Sequence, residues 1–180
     1  MTKHFLSAAA ALLALAIPAT SQAELAAGAQ APNFATQGAL AGKPFAFNLR
    51  SALRRGPVVL YFYPKAFTQG CTLEAHAFAE ASDDFRAAGA TVIGMSNDDV
   101  ATLQRFSTEE CRDKFAVAVA TPAIISAYDV ALVRNGVATG LTSRTSYVIG
   151  RNGRIRMVHS NMNYADHVRL TLEAVRALRN

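Results

Sequence analysis

The chain has 180 residues, 51% of them hydrophobic, and a formal net charge of +5. This length suits one compact domain with its own core and excludes two. The basic residues are scattered along the sequence, without the clusters interleaved with aromatic side chains that nucleic-acid binders require. We therefore expect a solvated basic surface and no nucleic-acid partner.

The first residues have the three-part pattern of a secretory signal peptide. Lys3 provides a positive start, Phe5–Ile17 is an uncharged apolar run, and Ser21–Ala23 supplies small residues for cleavage. The apolar run is shorter than the ~20 residues that span a bilayer. We expect residues 1–23 to be removed on export, for which a bacterial periplasm is the expected destination, and residues 24–180 to form one domain without a membrane anchor.

Strand patterns recur through the rest of the chain. The unbroken apolar run from Pro57 to Tyr63 predicts a central strand covered on both faces. Other strands are predicted at Pro44–Leu49 (an edge strand), Thr91–Met95, Val117–Val119, and a hairpin of Ser146–Ile149 and Ile155–Val158.

Helices are predicted between these strands, and residues 129–143 are predicted to be a loop. The helices are expected at Cys71–Ala88, from Asp98 or Asp99 to Cys111, at Pro122–Tyr128, and at Asp166–Leu178. Strands that alternate with helices in this way predict an α/β sandwich with a mixed central sheet.

Cys71 and Cys111 are the two cysteines of the chain. A structural disulfide is one possibility in an oxidising compartment, although a domain of this size does not need one to fold. Cys71 is expected at the first turn of a helix, where unpaired amides and a partial positive charge favour the thiolate. A thiolate there could attack a peroxide bond and become a sulfenic acid.

Four other side chains fit that chemistry. The hydroxyl of Thr68 and the guanidinium of Arg144 could donate hydrogen bonds to the atoms on which negative charge develops. Glu74, one turn into the helix, could hold the guanidinium through a planar ion pair. Pro64 restricts the loop before the cysteine.

The segment YFYPKAFTQGCTLE, residues 61–74, resembles the active-site segment of peroxiredoxins, in particular the bacterioferritin-comigratory or Q-type subgroup. It contains the family pattern Pro-x-x-x-Thr-x-x-Cys, and the likeness extends over about residues 29–178. The resemblance implies a thioredoxin-like fold and a thiol peroxidase in which Cys71 is the peroxidatic cysteine. Pro64, Thr68 and Arg144 would shape its pocket.

The resemblance also implies the reaction partners. The substrates would be hydrogen peroxide and organic hydroperoxides, and the electrons would come from a thioredoxin-like protein or a small thiol. No metal, haem, flavin or other cofactor is implied. The sequence leaves open whether the protein is a monomer or a homodimer.

Two positions depart from the family pattern. Gln69 stands where relatives often carry proline, and His76 occupies the position at which many Q-type members carry a resolving cysteine. Cys111 is therefore the candidate resolving cysteine, expected to form an intramolecular disulfide with Cys71. The alternative is that Cys111 is an ordinary half-buried helix residue.

Two other functions remain open at this point. An exported thiol–disulfide oxidoreductase would fit the fold, but it needs a second cysteine soon after the first, where Leu73 and Glu74 stand. A non-catalytic redox sensor would react slowly with peroxide and change its binding to a partner on oxidation.

Overall fold

A computed structural model describes residues 24–179 of the chain. The strands within this range are β1 (Ala35–Leu40), β2 (Lys43–Asn48), β3 (Val58–Phe62), β4 (Thr91–Ser96), β5 (Ala116–Val119), β6 (Ala131–Arg134), β7 (Val137–Thr142), β8 (Thr145–Ile149) and β9 (Ile155–Ser160). The helices are α1 (Leu49–Leu53), α2 (Gln69–Glu80), α3 (Ser82–Ala87), α4 (Val100–Glu109), α5 (Pro122–Ala127) and α6 (His167–Ala177).

Seven of these strands form one mixed sheet in the order β2-β1-β5-β4-β3-β8-β9. The inner pairs β3–β4 and β4–β5 are parallel, whereas β8 runs antiparallel to β3 and β9 antiparallel to β8. Strand β2 is at one edge, as predicted. The predicted α/β fold with a mixed central sheet is confirmed, and it is the thioredoxin-like arrangement that the family resemblance implied.

Strand β3 is buried along its whole length, as the unbroken apolar run predicted. Successive side chains of a strand point to opposite faces. Leu60 and Phe62 accordingly join the core layer under α1 and α5, whereas Val59 and Tyr61 join the layer under α2, α3, α4 and α6. The second layer also contains both cysteines, so the reactive chemistry is on the α2 side of the sheet.

The prediction of a loop over residues 129–143 is wrong. Strands β6 and β7 form a separate antiparallel hairpin there. Asn135 and Gly136, with φ of 50° and 76°, make its turn, and Asn-Gly is the typical sequence of such turns. The sequence does not indicate these two strands, because their side chains are mostly exposed and show no alternation of apolar and polar residues. Strand β1, which pairs with β2, was also missed.

Two helix boundaries differ from the prediction. The expected helix over Cys71–Ala88 is divided at Ala81, whose ψ of 1° lies outside the helical range, into α2 and α3. Helix α4 ends at Glu109, so Cys111 follows the helix rather than belonging to it. The amide of Cys111 bonds to the carbonyl of Phe106, five residues back, and this wider turn ends the helix.

The predicted signal peptide, residues 1–23, lies outside the described residues. Among residues 24–179, none of the helices has the length and apolar character needed to cross a membrane.

Candidate active site

Cys71 lies in the first turn of α2, directly after the loop that follows β3. Its side chain is 1% exposed. Thr68 is the N-cap, but its hydroxyl donates to the carbonyl of Lys65 at 2.9 Å and not to the cysteine, and it caps no amide of the helix. The positive end of the helix therefore lacks a side-chain cap beside the sulfur.

Strand pairing brings Arg144 to this helix end. Because β8 is antiparallel to β3, with Thr145 opposite Phe62, the residue before β8 emerges where β3 ends. The Nη2 atom of Arg144 lies 3.5 Å from Sγ of Cys71. Gly70 leaves room for the guanidinium, since a Cβ at this position would lie 3.2 Å from Nη2.

The guanidinium of Arg144 is fixed by two further contacts. Its Nη1 donates to Oε2 of Glu74 in a buried ion pair, and its Nε donates to the carbonyl of Met162 at 3.0 Å. Burial raises the pKa of Glu74, whereas the guanidinium of Arg144 acts in the opposite direction and favours the carboxylate. Glu74, Arg144 and Cys71, three of the residues singled out from sequence, thus lie together, and the carboxylate contacts the guanidinium through Oε2 alone.

A buried histidine lies behind this ion pair. The Nδ1 atom of His167 is 3.8 Å from Oε1 of Glu74, an oxygen without a hydrogen-bond partner in the part of the chain that the structure describes. Nε2 of His167 lies 2.9 Å from the carbonyl of Asn161, and Nδ1 lies 2.8 Å from the hydroxyl of Ser146. Because a carbonyl can only accept, Nε2 carries the hydrogen and Nδ1 accepts from the serine.

His167 is neutral near pH 7, because burial lowers its pKa to about 4. The sequence pattern does not predict a role for His167 in the site. Its distance from Glu74 along the chain gives no sign that the two side chains meet, which depends on how α6 packs against β8.

Side-chain contacts hold the loop before Cys71. Oδ2 of Asp98 accepts from the amide of Ala66 at 2.8 Å and from the hydroxyl of Ser96 at 2.9 Å. Asp98 therefore holds this loop. The N-cap of α4 is Asp99, the other residue predicted for that role, whose side chain accepts a hydrogen bond from an amide in the first turn of α4.

Two neighbours of that loop are also held in place. The hydroxyl of Thr142 donates to the carbonyl of Tyr63, the residue before Pro64, at 2.6 Å. Phe67 has a φ of 60°, a strained value for a bulky residue. Its ring packs edge-on against Phe106, with Arg105 above it. Such strain persists only where the surroundings determine the conformation.

Cys111 is fully buried, and both cysteines are free thiols. Burial raises the pKa of Cys111, so that its thiol form is favoured. The two cysteines belong to the same buried apolar layer, which also contains Tyr61 and Tyr63. The structure places no disulfide between Cys71 and Cys111 in this state.

The segment around Cys111 is tied to α2 by two polar contacts. His76, at the position where many Q-type proteins carry a cysteine, lies 2.7 Å from Oε2 of Glu110. Arg112 lies 3.4 Å from Glu80. These contacts link the helix of Cys71 to the residues on either side of Cys111.

Comparison with known proteins identifies the family. The profile of the AhpC/TSA family matches residues 27–158. The chain is 34% identical over 135 residues to the chloroplastic peroxiredoxin Q of Suaeda salsa, an alignment covering 71% of this chain and 59% of the relative. It is 32% identical over 136 residues to that of Sedum lineare, covering 72% and 68%. The chain thus spans about three fifths to two thirds of the length of these curated relatives.

Solved structures with the same fold agree. Peroxidoxin BcpB of Mycobacterium tuberculosis superposes with a TM-score of 0.75 at 28% identity, covering 86% of this chain and 98% of that one. Peroxiredoxin Q of Xanthomonas campestris gives a TM-score of 0.70 at 27% identity, covering 80% and 91%. This chain therefore belongs to the AhpC/TSA family and is a peroxiredoxin similar to the peroxiredoxins Q.

Proposed function

We propose that this protein is a thiol-dependent peroxidase that reduces hydrogen peroxide and organic hydroperoxides at Cys71. The observation that carries the proposal is the position of the Arg144 guanidinium, 3.5 Å from a buried sulfur at the positive end of a helix. Both positive groups face the sulfur, which reacts as the thiolate. Family membership supports peroxidase chemistry.

In the first step the thiolate sulfur attacks one oxygen of the peroxide. The S–O bond forms as the O–O bond breaks, so that sulfur is oxidised to a sulfenic acid and the leaving oxygen departs as hydroxide or alkoxide and takes a proton. Negative charge spreads over the oxygens in the transition state. Arg144, still held by Glu74, is placed to donate to them without prior rearrangement.

Thr68 and Pro64 are proposed to shape the substrate pocket. The hydroxyl of Thr68 donates its hydrogen bond to the carbonyl of Lys65. Its oxygen can still accept a hydrogen bond from a hydroperoxide O–H group. Pro64 fixes the start of the loop that Asp98 and Thr142 hold.

Cys111 is proposed to resolve the sulfenic acid. Its thiol would form an intramolecular disulfide with Cys71 and release water, and a thioredoxin-like protein or a small thiol would then reduce the disulfide. Because Cys111 is buried and contacts from Glu110 and Arg112 to α2 hold its segment, we expect this segment to rearrange first. Arg112 and Asp113, with φ of 52° and 58°, already have conformations that cost energy for non-glycine residues.

One titration tests these steps. The purified protein is treated with one equivalent of hydrogen peroxide, and free thiols are counted in the wild type and in Cys71→Ser and Cys111→Ser. Rapid loss of both thiols in the wild type, with a sulfenic acid trapped in Cys111→Ser, supports the two-cysteine mechanism. A free Cys111 after Cys71 has been oxidised indicates a one-cysteine enzyme instead.

Other outcomes of the same titration decide against peroxidase activity. If Cys71 consumes peroxide no faster than a free cysteine in solution, the redox-sensor function takes its place. Activity in disulfide exchange without peroxide reduction would favour the oxidoreductase.

We also propose that the chain is exported, on the composition of residues 1–23. Mass spectrometry of the protein recovered from a secretory bacterial host tests this proposal. A mature chain beginning at Glu24 in the periplasmic fraction supports it, and an uncut chain in the cytoplasmic fraction contradicts it.

A further inference from the structure

The arginines of the described residues fall into two groups. One group pairs with carboxylates: Arg86, Arg105, Arg112, Arg144, Arg169 and Arg176. The other has no carboxylate partner among residues 24–179. All of its members except Arg134 and Arg154 line two adjoining cavities at one end of the sheet: Arg50, Arg54, Arg55, Arg151, Arg156 and Arg179.

The larger cavity has a volume of about 520 Å³. Apolar parts of its wall come from Pro57, Ala88 and Leu178, and its arginines come from three separate parts of the chain: Arg55, Arg151, Arg156 and Arg179. The second cavity, of about 440 Å³, shares Arg151 and Asn152 with the first and adds Arg50 and Arg54. No carboxylate side chain is among the described residues that line either cavity.

Several of these guanidiniums are positioned by neutral groups. Arg151 donates from Nη2 to the carbonyl of Arg54 at 3.1 Å, and Arg179 donates from Nη1 to the carbonyl of Ala87 at 2.8 Å. Main-chain carbonyls orient the side chains but leave their charges uncompensated. Arg156 packs against Gly150, where a Cβ would lie 3.1 Å from its Nε.

This end of the sheet is remote from Cys71. Pro57 precedes β3 and Arg151 follows β8, whereas Arg144 and Cys71 are near the opposite ends of these strands. A five-residue strand is roughly 16 Å long. The cavities are therefore separate from the peroxide site, and neither Arg151 nor Arg156 belongs to it.

We propose that the larger cavity is a binding site for a small oxyanion of the phosphate class that carries two or more negative charges. Guanidinium groups form paired, planar hydrogen bonds with such oxyanions. Its volume is in the range of small-molecule sites. The six arginines gather with no carboxylate among the described residues that line either cavity, so positive potential is concentrated at this end.

Calorimetric titration of the full protein with inorganic pyrophosphate, at about 0.1 M salt to screen weak surface attraction, tests this site. We expect saturable binding at one site. Arg151→Gln and Arg156→Gln should each weaken it about tenfold or more, as expected for the loss of a charge-assisted hydrogen bond. Arg105→Gln is the matched control, because it removes the same charge from an arginine paired with Glu109.

A second pair of variants separates geometry from charge. Arg151→Lys and Arg156→Lys keep the charge but lose the planar fork, so they should weaken pyrophosphate binding while the rate of peroxide reduction stays unchanged. The proposal is overturned if no saturable binding occurs, or if Arg105→Gln weakens it as much as Arg151→Gln. It is also overturned if only long polyanions such as RNA bind, because the surface would then be an extended interface.

Discussion

The Nη2 atom of Arg144 lies 3.5 Å from Sγ of Cys71, although 73 residues separate them in the chain. The register of β8 against β3 creates this contact, and Glu74 maintains it from the same helix that carries the cysteine. A cation at this distance is available to stabilise both the thiolate and the oxygen atoms of a bound peroxide.

Replacing Arg144 should therefore slow the peroxide reaction selectively. For Arg144→Gln we expect the second-order rate constant for oxidation of Cys71 to fall about 100-fold or more, the usual effect of losing one such donor. Stopped-flow measurement with hydrogen peroxide gives this constant. Arg86→Gln, which removes an exposed arginine of α3 that is paired with Asp83, should react like the wild type. A change below threefold in Arg144→Gln would show that the guanidinium is not used.

The ion pair between Glu74 and Arg144 should have a large effect on stability. Both side chains are almost fully buried. Removing one member of a buried pair leaves the other charge without compensation, which costs about 3–5 kcal/mol. We expect urea unfolding to show that the free energy of unfolding of Glu74→Ala is lower than that of the wild type by this amount. Glu109→Ala breaks an exposed pair with Arg105, and its free energy of unfolding should fall by less than about 1 kcal/mol.

His167 should make stability depend on pH in the acidic range. Its folded pKa of about 4 is below the ordinary value of 6.5, so between these values only the unfolded state is protonated. The stability contribution of the neutral histidine is complete above pH 6.5 and is lost as the pH falls through 4, by up to about 3 kcal/mol.

Burial also raises the pKa of Glu74. Glu74 is present in the wild type and in His167→Asn alike, so its titration cancels when the two proteins are compared. The difference between the wild type and His167→Asn therefore isolates the histidine. When urea unfolding is measured at pH 7 and at pH 4.5, the free energy of unfolding should fall more between these pH values in the wild type than in His167→Asn. Equal falls in both proteins would contradict the prediction.

Cys111 should react slowly with thiol reagents in the reduced native protein. It is fully buried, and burial raises its pKa, which lowers the fraction of reactive thiolate. In Cys71→Ser, alkylation by iodoacetamide should be at least about 100 times slower in buffer than in urea, since it requires local opening. His76→Ala, introduced into the same protein, should speed the reaction by freeing Glu110. Alkylation at the rate of a free thiol would show that Cys111 is accessible without rearrangement.

The local parts of the site could be predicted from sequence because they depend on neighbouring residues. The apolar run of β3, the loop and the start of α2 follow one another directly, so the position of Cys71 at a helix N-terminus follows from strand and helix patterns. The boundaries were less accurate. Ala81 interrupts the helix through its backbone conformation, and the exposed hairpin of β6 and β7 has no apolar alternation to indicate it.

The contacts between distant segments could be predicted only in part. The pairing of Glu74 with Arg144 was expected from residue types and the family pattern, whereas the part played by His167 was not. A buried histidine has no sequence signature of its own, because its burial results from the packing of α6 against β8.

The sequence by itself determined the alternation of the central strands with helices, the helix that carries Cys71 and the family resemblance, since these depend on local periodicity and a short motif. Only the tertiary structure decided which distant charges meet. Arginines that are scattered along the chain converge on one end of the sheet with no carboxylate partner among residues 24–179, while Arg144 is directed to the other end. The physical reason is that strand register and helix packing, rather than sequence separation, fix the distances over which charges interact.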